Sequence, residues 1–520
     1  MGSLGGLTGD VLIAALRRFR ETNWLRPGAQ STPFPALATP QLLMVALFTI
    51  LLAIVLATYS RYGFTTDEFR GFRRAQRIFE FFASGGTSDS LSDIDMFHGA
   101  APDVLALALQ TLIPPLSYDS RHLVSALFGV AGIYYTYRFG SKFGGEWIGV
   151  FAALFLAVTP LWFGHMFLNH KDIPFATLLL ASTYYCLLAL TGHRTSPLFW
   201  VKTGLAIGLL ASTKIGGLPI LTLVVTVFIA CLMYLPNQDK REIPIDFARR
   251  LFATLLAGLF GCLIGFLFFW PQVYANLGEA IFAGAQTNPE IFHGSHSIIR
   301  FAITIPLYLL VLGGIGIGWA VYRRDAFVIA CLLVFYSVLV AGEAIQLKGG
   351  RHLLFLYPFF MISAAYPVHL ILNLIKGSFA RSALFGVIGL CVAGTGFEMY
   401  KLFPYQYSFY NSLVGGFTGA DGHKKIDQWG AAEREALEQI AATTKSSRVV
   451  RVYSCGSKLN VMNQPGFEAA PSQEEADYII ALRGRTSPTT GCSPDMFEGL
   501  PVIGEVRREG MLLARIYTPR

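Results

Sequence analysis

Apolar runs of about twenty residues recur along this chain from position 41 to position 402. No other feature narrows the possible folds as much. About twenty residues rising 1.5 Å each cross ~30 Å of hydrocarbon, and a helix satisfies its own backbone there. Candidate spans are 41–59, 122–139, 147–163, 173–190, 198–211, 215–235, 251–270, 301–322, 326–345, 353–374 and 384–402. The run 198–211 is short and reads as a span broken at Lys214-Ile215-Gly216-Gly217, while 102–113 reads as a helix lying at the interface. Composition agrees, since 53% of the 520 residues are hydrophobic and only 14% are charged. The formal charge of +8 is scattered between the apolar blocks, which speaks for membrane topology and against a nucleic-acid partner.

Lys and Arg bias orients the spans. With the N-terminus cytoplasmic, every inner segment is basic, from Arg17 and Arg18 through Lys240 and Arg241 to Lys376 and Arg381. The outer loop 271–299 has no Lys or Arg. Eleven spans then leave the end of the chain outside. The first forty residues are polar and Arg-rich without a cleavage site, so the first span is expected to be an uncleaved anchor. The loop after that span breaks the charge rule with Arg61, Arg70, Arg73, Arg74 and Arg77. Phe69, Phe72, Ile78, Phe79 and Phe82 share one helical face there, which predicts an amphipathic surface helix.

Four domains follow: a cytoplasmic segment 1–40, a membrane module 41–403, a connecting motif 404–430 and a small α/β appendage 431–520. In the last, a helix is expected over 431–442, strands over 448–454 and 478–482, and a hairpin over 502–517 turning at Glu509-Gly510. Cys455 and Cys492 lie in this outer part and are candidates for a disulfide, while the other five cysteines sit in apolar spans. The fold class is an all-α polytopic membrane protein of about eleven spans with a C-terminal α/β appendage.

Ionisable groups at membrane depth are expensive and normally face a cavity or a partner. On the outer side lie Asp67 and Glu68, then His165, His170, Lys171 and Asp172 at the end of the third span, then Lys214 at its glycine break. Lys348, Arg351 and His352 open the tenth span. Two acids with several cations suit displacement of a phosphate leaving group. A carboxylate takes the proton of an attacking hydroxyl, while Lys and Arg, or a divalent ion, stabilise the departing phosphate. The bland readings are an N-cap for Asp67, a helix N-terminus for Asp172 before Pro174, and a snorkelling anchor for Arg351.

Asp67-Glu68 after the first span resembles the acidic pair of GT-C glycosyltransferases, the branch of bacterial protein O-mannosyltransferases and the lipid A aminoarabinose transferase. Asn169-His170-Lys171-Asp172-Ile173-Pro174, the stretch 288–310, and 409–430 agree in order with that resemblance, although Gln428 stands where the family's last motif has Tyr. The resemblance implies a polyprenyl-phosphate-linked sugar as donor, an inverting single displacement and a bacterial inner-membrane protein with its site facing the periplasm. It implies Asp67 as general base, Asp172 as second acid and Glu68 as an assisting acceptor or metal ligand. Lys171, Lys348, Arg351 and His352 are expected at the donor phosphate, and His170, His293, Asn411 and Trp429 at the substrates. The acceptor is a glycan, a lipid or a protein. His293 and His296 have a spacing open to metal but no third ligand nearby. A transporter or flippase of a lipid-linked glycan is the alternative, yet no internal repeat connects the two halves. No phosphate-cradling glycine loop is present for a nucleotide sugar.

Overall fold

The computed structural model describes residues 39–86, 98–193, 195–234, 246–275, 297–344, 350–421, 426–444, 448–483 and 493–519. The chain divides into two compact units, Met1–Ala46 and Leu47–Arg520. Of the first, the described part is the opening of helix α1 (Pro40–Thr58). The second holds α2 (Thr66–Ala83), α3 (Ala101–Leu112), α4 (Ser120–Phe143), α5 (Glu146–Ala157), α6 (Pro160–Leu168), α7 (Asp172–Leu190), α8 (Pro197–Thr213), α9 (Gly217–Tyr234) and α10 (Phe247–Phe269). After them come α11 (Ser297–Thr304), α12 (Leu307–Arg323), α13 (Ala326–Ala344), α14 (Tyr357–Leu374) and α15 (Ser378–Lys401).

Each expected span coincides with helix, but not each as one uniform crossing. Among the described residues, six helices are long and apolar enough to cross a membrane, or seven if the bent pair α5–α6 counts as one span. That pair bends by 65° where Pro160 opens the second segment. The run 301–322 is likewise divided, at Pro306, into α11 and α12. The remaining apolar runs fall on shorter or more polar helices: α8 and α12 have 17 residues each, and α4 carries Arg121, His122, Arg138 and Lys142. The apolar windows of α7 and α14 are 94% and 89% buried, whereas those of α10 and α15 are 22% and 17% buried. Helices apolar all round and left uncovered need lipid against them. This is a multi-pass membrane protein.

The tightest helix seam joins α8 and α10. Gly204 and Gly208 face Gly261 and Gly265, so near that a Cβ on Gly208 would strike the Gly261 carbonyl and one on Gly261 the Gly204 carbonyl. Residues four apart stack on one face, and small side chains let the two backbones meet. Gly208→Leu is therefore expected to force the helices apart and lower stability by about 1–3 kcal/mol, read as a lower melting temperature in detergent.

The C-terminal part is α/β, as expected. Its sheet runs β2 (Phe467–Ala469), β1 (Val450–Ser454), β3 (Tyr478–Leu482), β5 (Met511–Tyr517), β4 (Val502–Arg508). β1 is parallel to β2 and β3, and β5 is antiparallel to β3 and β4. Glu509 and Gly510 both take positive φ (48° and 81°) in the hairpin turn, the geometry that matches the twist of the paired strands. Helix α16 (Ala432–Thr443) packs on β3, β4 and β5. Strand β2 and helix α17 (Lys458–Met462) are additions that the apolar pattern did not reveal, being three and five residues long. Cys455 is disulfide-bonded, Cys492 lies outside the described residues, and the five cysteines of the spans are free.

Candidate active site

Helix α2 starts with a reciprocal cap. The Thr65 hydroxyl accepts from Glu68 N (3.2 Å) and the Glu68 carboxylate accepts from Thr65 N (2.7 Å). Its other oxygen lies 3.2 Å from His122 Nε2, and Glu68 is wholly buried. Both Glu68 oxygens are thus turned into the fold, one to the cap and one to His122. Arg74 on the same helix is also buried, unlike the exposed arginines beside it.

Asp67, one residue earlier, points the other way. Its Oδ2 accepts from Arg351 Nη1 at 2.7 Å, with the two side chains 30% and 26% exposed. Arg351 sits in the 3₁₀ turn Gly350–Leu356 that leads into α14. Its guanidinium carbon lies 5.3 Å from the centre of the Trp429 ring. Trp429 in turn stacks on Tyr407 (5.6 Å) and meets His165 edge-on (5.0 Å). Burial works to raise the Asp67 pKa, but the charges of Arg351 and Lys171 outweigh it and hold the carboxyl at about 2.

Asp172 is the first residue of α7, and the Asn169 side chain lies against it. Asn169 Oδ1 accepts from Asp172 N (2.9 Å), and its Nδ2 donates to Asp172 Oδ2 (2.9 Å). The remaining Asp172 oxygen receives Lys214 Nζ, and His352 Nδ1 lies 4.0 Å away. Lys214 projects from the residue that ends α8, with its ammonium over the Phe175 ring. In the sequence Lys214 is only a charge at a glycine break, and its partner 42 positions away is set by the crossing of α7 and α8. Lys171 is largely buried beside the same acids. Burial lowers its pKa first and Arg74 adds to this; Asp103 and Asp67 pull the other way, leaving it at about 8.

A second polar group lies behind the first. Asp103 and Arg121 form a wholly buried ion pair, and His170 Nε2 is 3.5 Å from the same Asp103 oxygen. Burial holds the His170 pKa down at about 4, with Asp103 opposing, so the ring is neutral. His170 is thus buried in the fold beside Asp103. Asp103 inside an apolar helix and Arg121 at a span's edge were not singled out, although each is an ionisable group at membrane depth, which is the signal that marks such positions.

Asn411 is buried, and its Nδ2 donates to the carbonyls of Ala302 and Ile305 (2.7 Å each), groups left open by the break before Pro306. It latches the connecting motif to the broken helix. Lys348 and His293 lie outside the described residues. Among the described residues no group of three or more His, Cys, Asp or Glu is placed to hold a metal ion, and Arg351, Lys214 and Asn169 already engage the two acids.

Residues 105–274 match the family model described as Dolichyl-phosphate-mannose-protein mannosyltransferase. That segment includes Lys171, Asp172 and Lys214. No curated protein matches the chain in sequence. Among solved structures, ArnT from Cupriavidus metallidurans in the apo state superposes with a TM-score of 0.51 at 14% identity, covering 91% of this chain and 97% of that one. The same protein bound to undecaprenyl phosphate gives 0.50 at 14% identity, covering 91% and 98%. At that identity the likeness is one of fold. The chain thus shares the fold of ArnT over most of its length, and residues 105–274 match the mannosyltransferase family model.

Proposed function

We propose that the protein is a glycosyltransferase that moves a sugar from a polyprenyl-phosphate donor to an acceptor hydroxyl. The observation that carries this reading is the meeting of Asp67 and Asp172 with Arg351, Lys171, Lys214 and His352, residues near the ends of α2, α7, α8 and α14. The acceptor oxygen attacks the anomeric carbon as its proton passes to the Asp67 carboxylate. The bond from that carbon to the phosphate oxygen breaks on the opposite side, so the configuration inverts and polyprenyl phosphate leaves. Arg351 and Lys171 stabilise the charge that develops on it. While Arg351 is wholly engaged with Asp67 the carboxylate is a weak base. A donor phosphate that draws part of the guanidinium to itself makes Asp67 more basic at the moment it is needed. ArnT binds undecaprenyl phosphate on the same fold, which supports a lipid phosphate as donor. The Lys and Arg bias of the loops supports a site on the periplasmic face of a bacterial inner membrane.

The test is transfer from a panel of radiolabelled polyprenyl-phosphate sugars in membranes holding the protein. Label appearing in an acceptor fraction, with free polyprenyl phosphate released in step, is the expected result. Passage of intact labelled glycan lipid across the bilayer without transfer would replace this reading by that of a flippase. A further prediction concerns pH. Lys171 has a folded pKa of about 8, below its ordinary value, so it loses its charge as pH rises past that point. The affinity for polyprenyl phosphate is expected to weaken between pH ~7 and ~9, and to stay flat in Lys171→Arg, whose charge persists. Binding titrations at three pH values check it. Stability runs the opposite way: between about 8 and the ordinary lysine value the unfolded chain binds more protons, so the fold gains stability as pH rises.

A further inference from the structure

The segment that enters α2 is held from outside by the C-terminal domain. Arg434 Nη1 donates to the Tyr62 carbonyl (3.2 Å) and to Asp119 Oδ1 (2.7 Å). Gly63 lies against the Ala431 carbonyl with no room for a Cβ. Asn460 then takes both backbone groups of Phe64, its Oδ1 accepting from Phe64 N (2.7 Å) and its Nδ2 donating to Phe64 O (2.9 Å). The other amide proton of Asn460 goes to Glu433 Oε2 (2.7 Å), in the first turn of α16. Asn460 and Glu433 are 3% and 1% exposed. The amide of Asn460 therefore pairs with Phe64 as a neighbouring strand would, and Glu433 sets which way the amide faces. Leu459 beside it packs on Phe64 and Phe72, on either side of Asp67 in the chain.

Phe64 is followed by Thr65, the residue that caps α2, and Asp67 comes two positions later. On the other side of the Asp67–Arg351 pair, Trp429 belongs to the lead-in of α16. The C-terminal domain thus holds the approach to the carboxylate, and the segment leading directly into it carries the ring under the carboxylate's partner. Bonds to a backbone N–H and C=O fix position without regard to side chain, and a reacting group displaced by about 1 Å loses on the order of a hundredfold in rate.

We propose that Asn460, oriented by Glu433, is a positioning residue for the transfer reaction. It fixes the Phe64 peptide and, through the Thr65 cap, the place of Asp67 opposite Arg351. The proposal rests on the reading of Asp67 as the base, and its test has an arm that does not. In Asn460→Ala, backbone hydrogen exchange over residues 62–68 is expected to speed up about tenfold or more, since two anchored backbone groups are released. The same variant is expected to lose transfer kcat by about tenfold to a hundredfold, with polyprenyl-phosphate Kd within about twofold of wild type. Asn460→Asp sets two buried carboxylates face to face and is expected to be worse. Adding Glu433→Gln reverses the direction of that bond, the amide of Gln donating to the new carboxylate, and should recover part of kcat and of the exchange protection.

Unchanged exchange in Asn460→Ala overturns the clamp. Faster exchange with undiminished kcat overturns its role in positioning. Equal loss of kcat and of lipid-phosphate binding also overturns it, since that is general unfolding. If wild type transfers from no donor, the glycosyltransferase reading falls, while the exchange arm still decides whether Asn460 holds the entry to α2.

Discussion

Asp67→Asn is expected to lower the initial rate of sugar transfer about 10²- to 10⁴-fold, the range for removing a positioned general base. The amide is nearly the same shape as the carboxylate, and its oxygen can still accept from Arg351, so donor binding and KM should change little. Folding should survive as well. The Asp67–Arg351 pair is 30% and 26% exposed, and a pair so open contributes at most about 1 kcal/mol. Initial rates in membranes, normalised to protein by immunoblot, check the prediction. Equal transfer by both proteins would move the base to Asp172. The pH behaviour follows from the same contact. With its folded pKa lowered to about 2, Asp67 is charged throughout the working range. Its contribution to stability is present above the ordinary carboxylate value and is lost as pH falls through about 2.

Lys214→Met is expected to be the most destabilising single change near the site. Asp172 is 8% exposed and its cation 20% exposed. Removing one member of a buried pair leaves the other charge without compensation, at a cost of about 3–5 kcal/mol. Asn169 still donates to one carboxylate oxygen but brings no charge, and His352 stands 4.0 Å off. A marked fall in melting temperature in detergent is the readout. Lys214→Met combined with Asp172→Asn should recover most of the loss, because neither charge is then stranded. Wild-type melting in the single variant would show that water already solvates Asp172, and the cation would then have to be understood through the donor phosphate alone.

The two predictions differ in how far their residues can be read without coordinates. Asp67 stands out by position, an acid a few residues past a membrane-length apolar run, and Arg351 by lying ahead of another. Lys214 and Asp172 are each conspicuous, but nothing in the linear order joins them. Their pairing depends on the packing of α7 against α8. Glu68 shows the reverse case. It looks as available as its neighbour, yet a helix turns successive side chains by about 100°, so one acid faces the cations while the other closes a cap beside His122. Asn411 and His170 likewise take surroundings that only packing sets. Polar residues within a motif look like contacts for a substrate, whereas one satisfies carbonyls freed by a proline break and the other leans on a buried ion pair.

What the sequence determined by itself is the membrane-embedded helical character, the places of the helices, the amphipathic α2 and the α/β character of the end of the chain. These follow from local rules: apolar length against bilayer thickness, helical periodicity, and turn residues that accept positive φ. Only the tertiary structure decided which charges meet, which acid is open, and that Asn460, 396 residues from Phe64, holds the entry to α2. Pairings of that kind depend on contacts between distant segments. A hydrogen bond or ion pair leaves no periodicity in the chain, and it exists only once packing has brought its two halves within about 3 Å of each other.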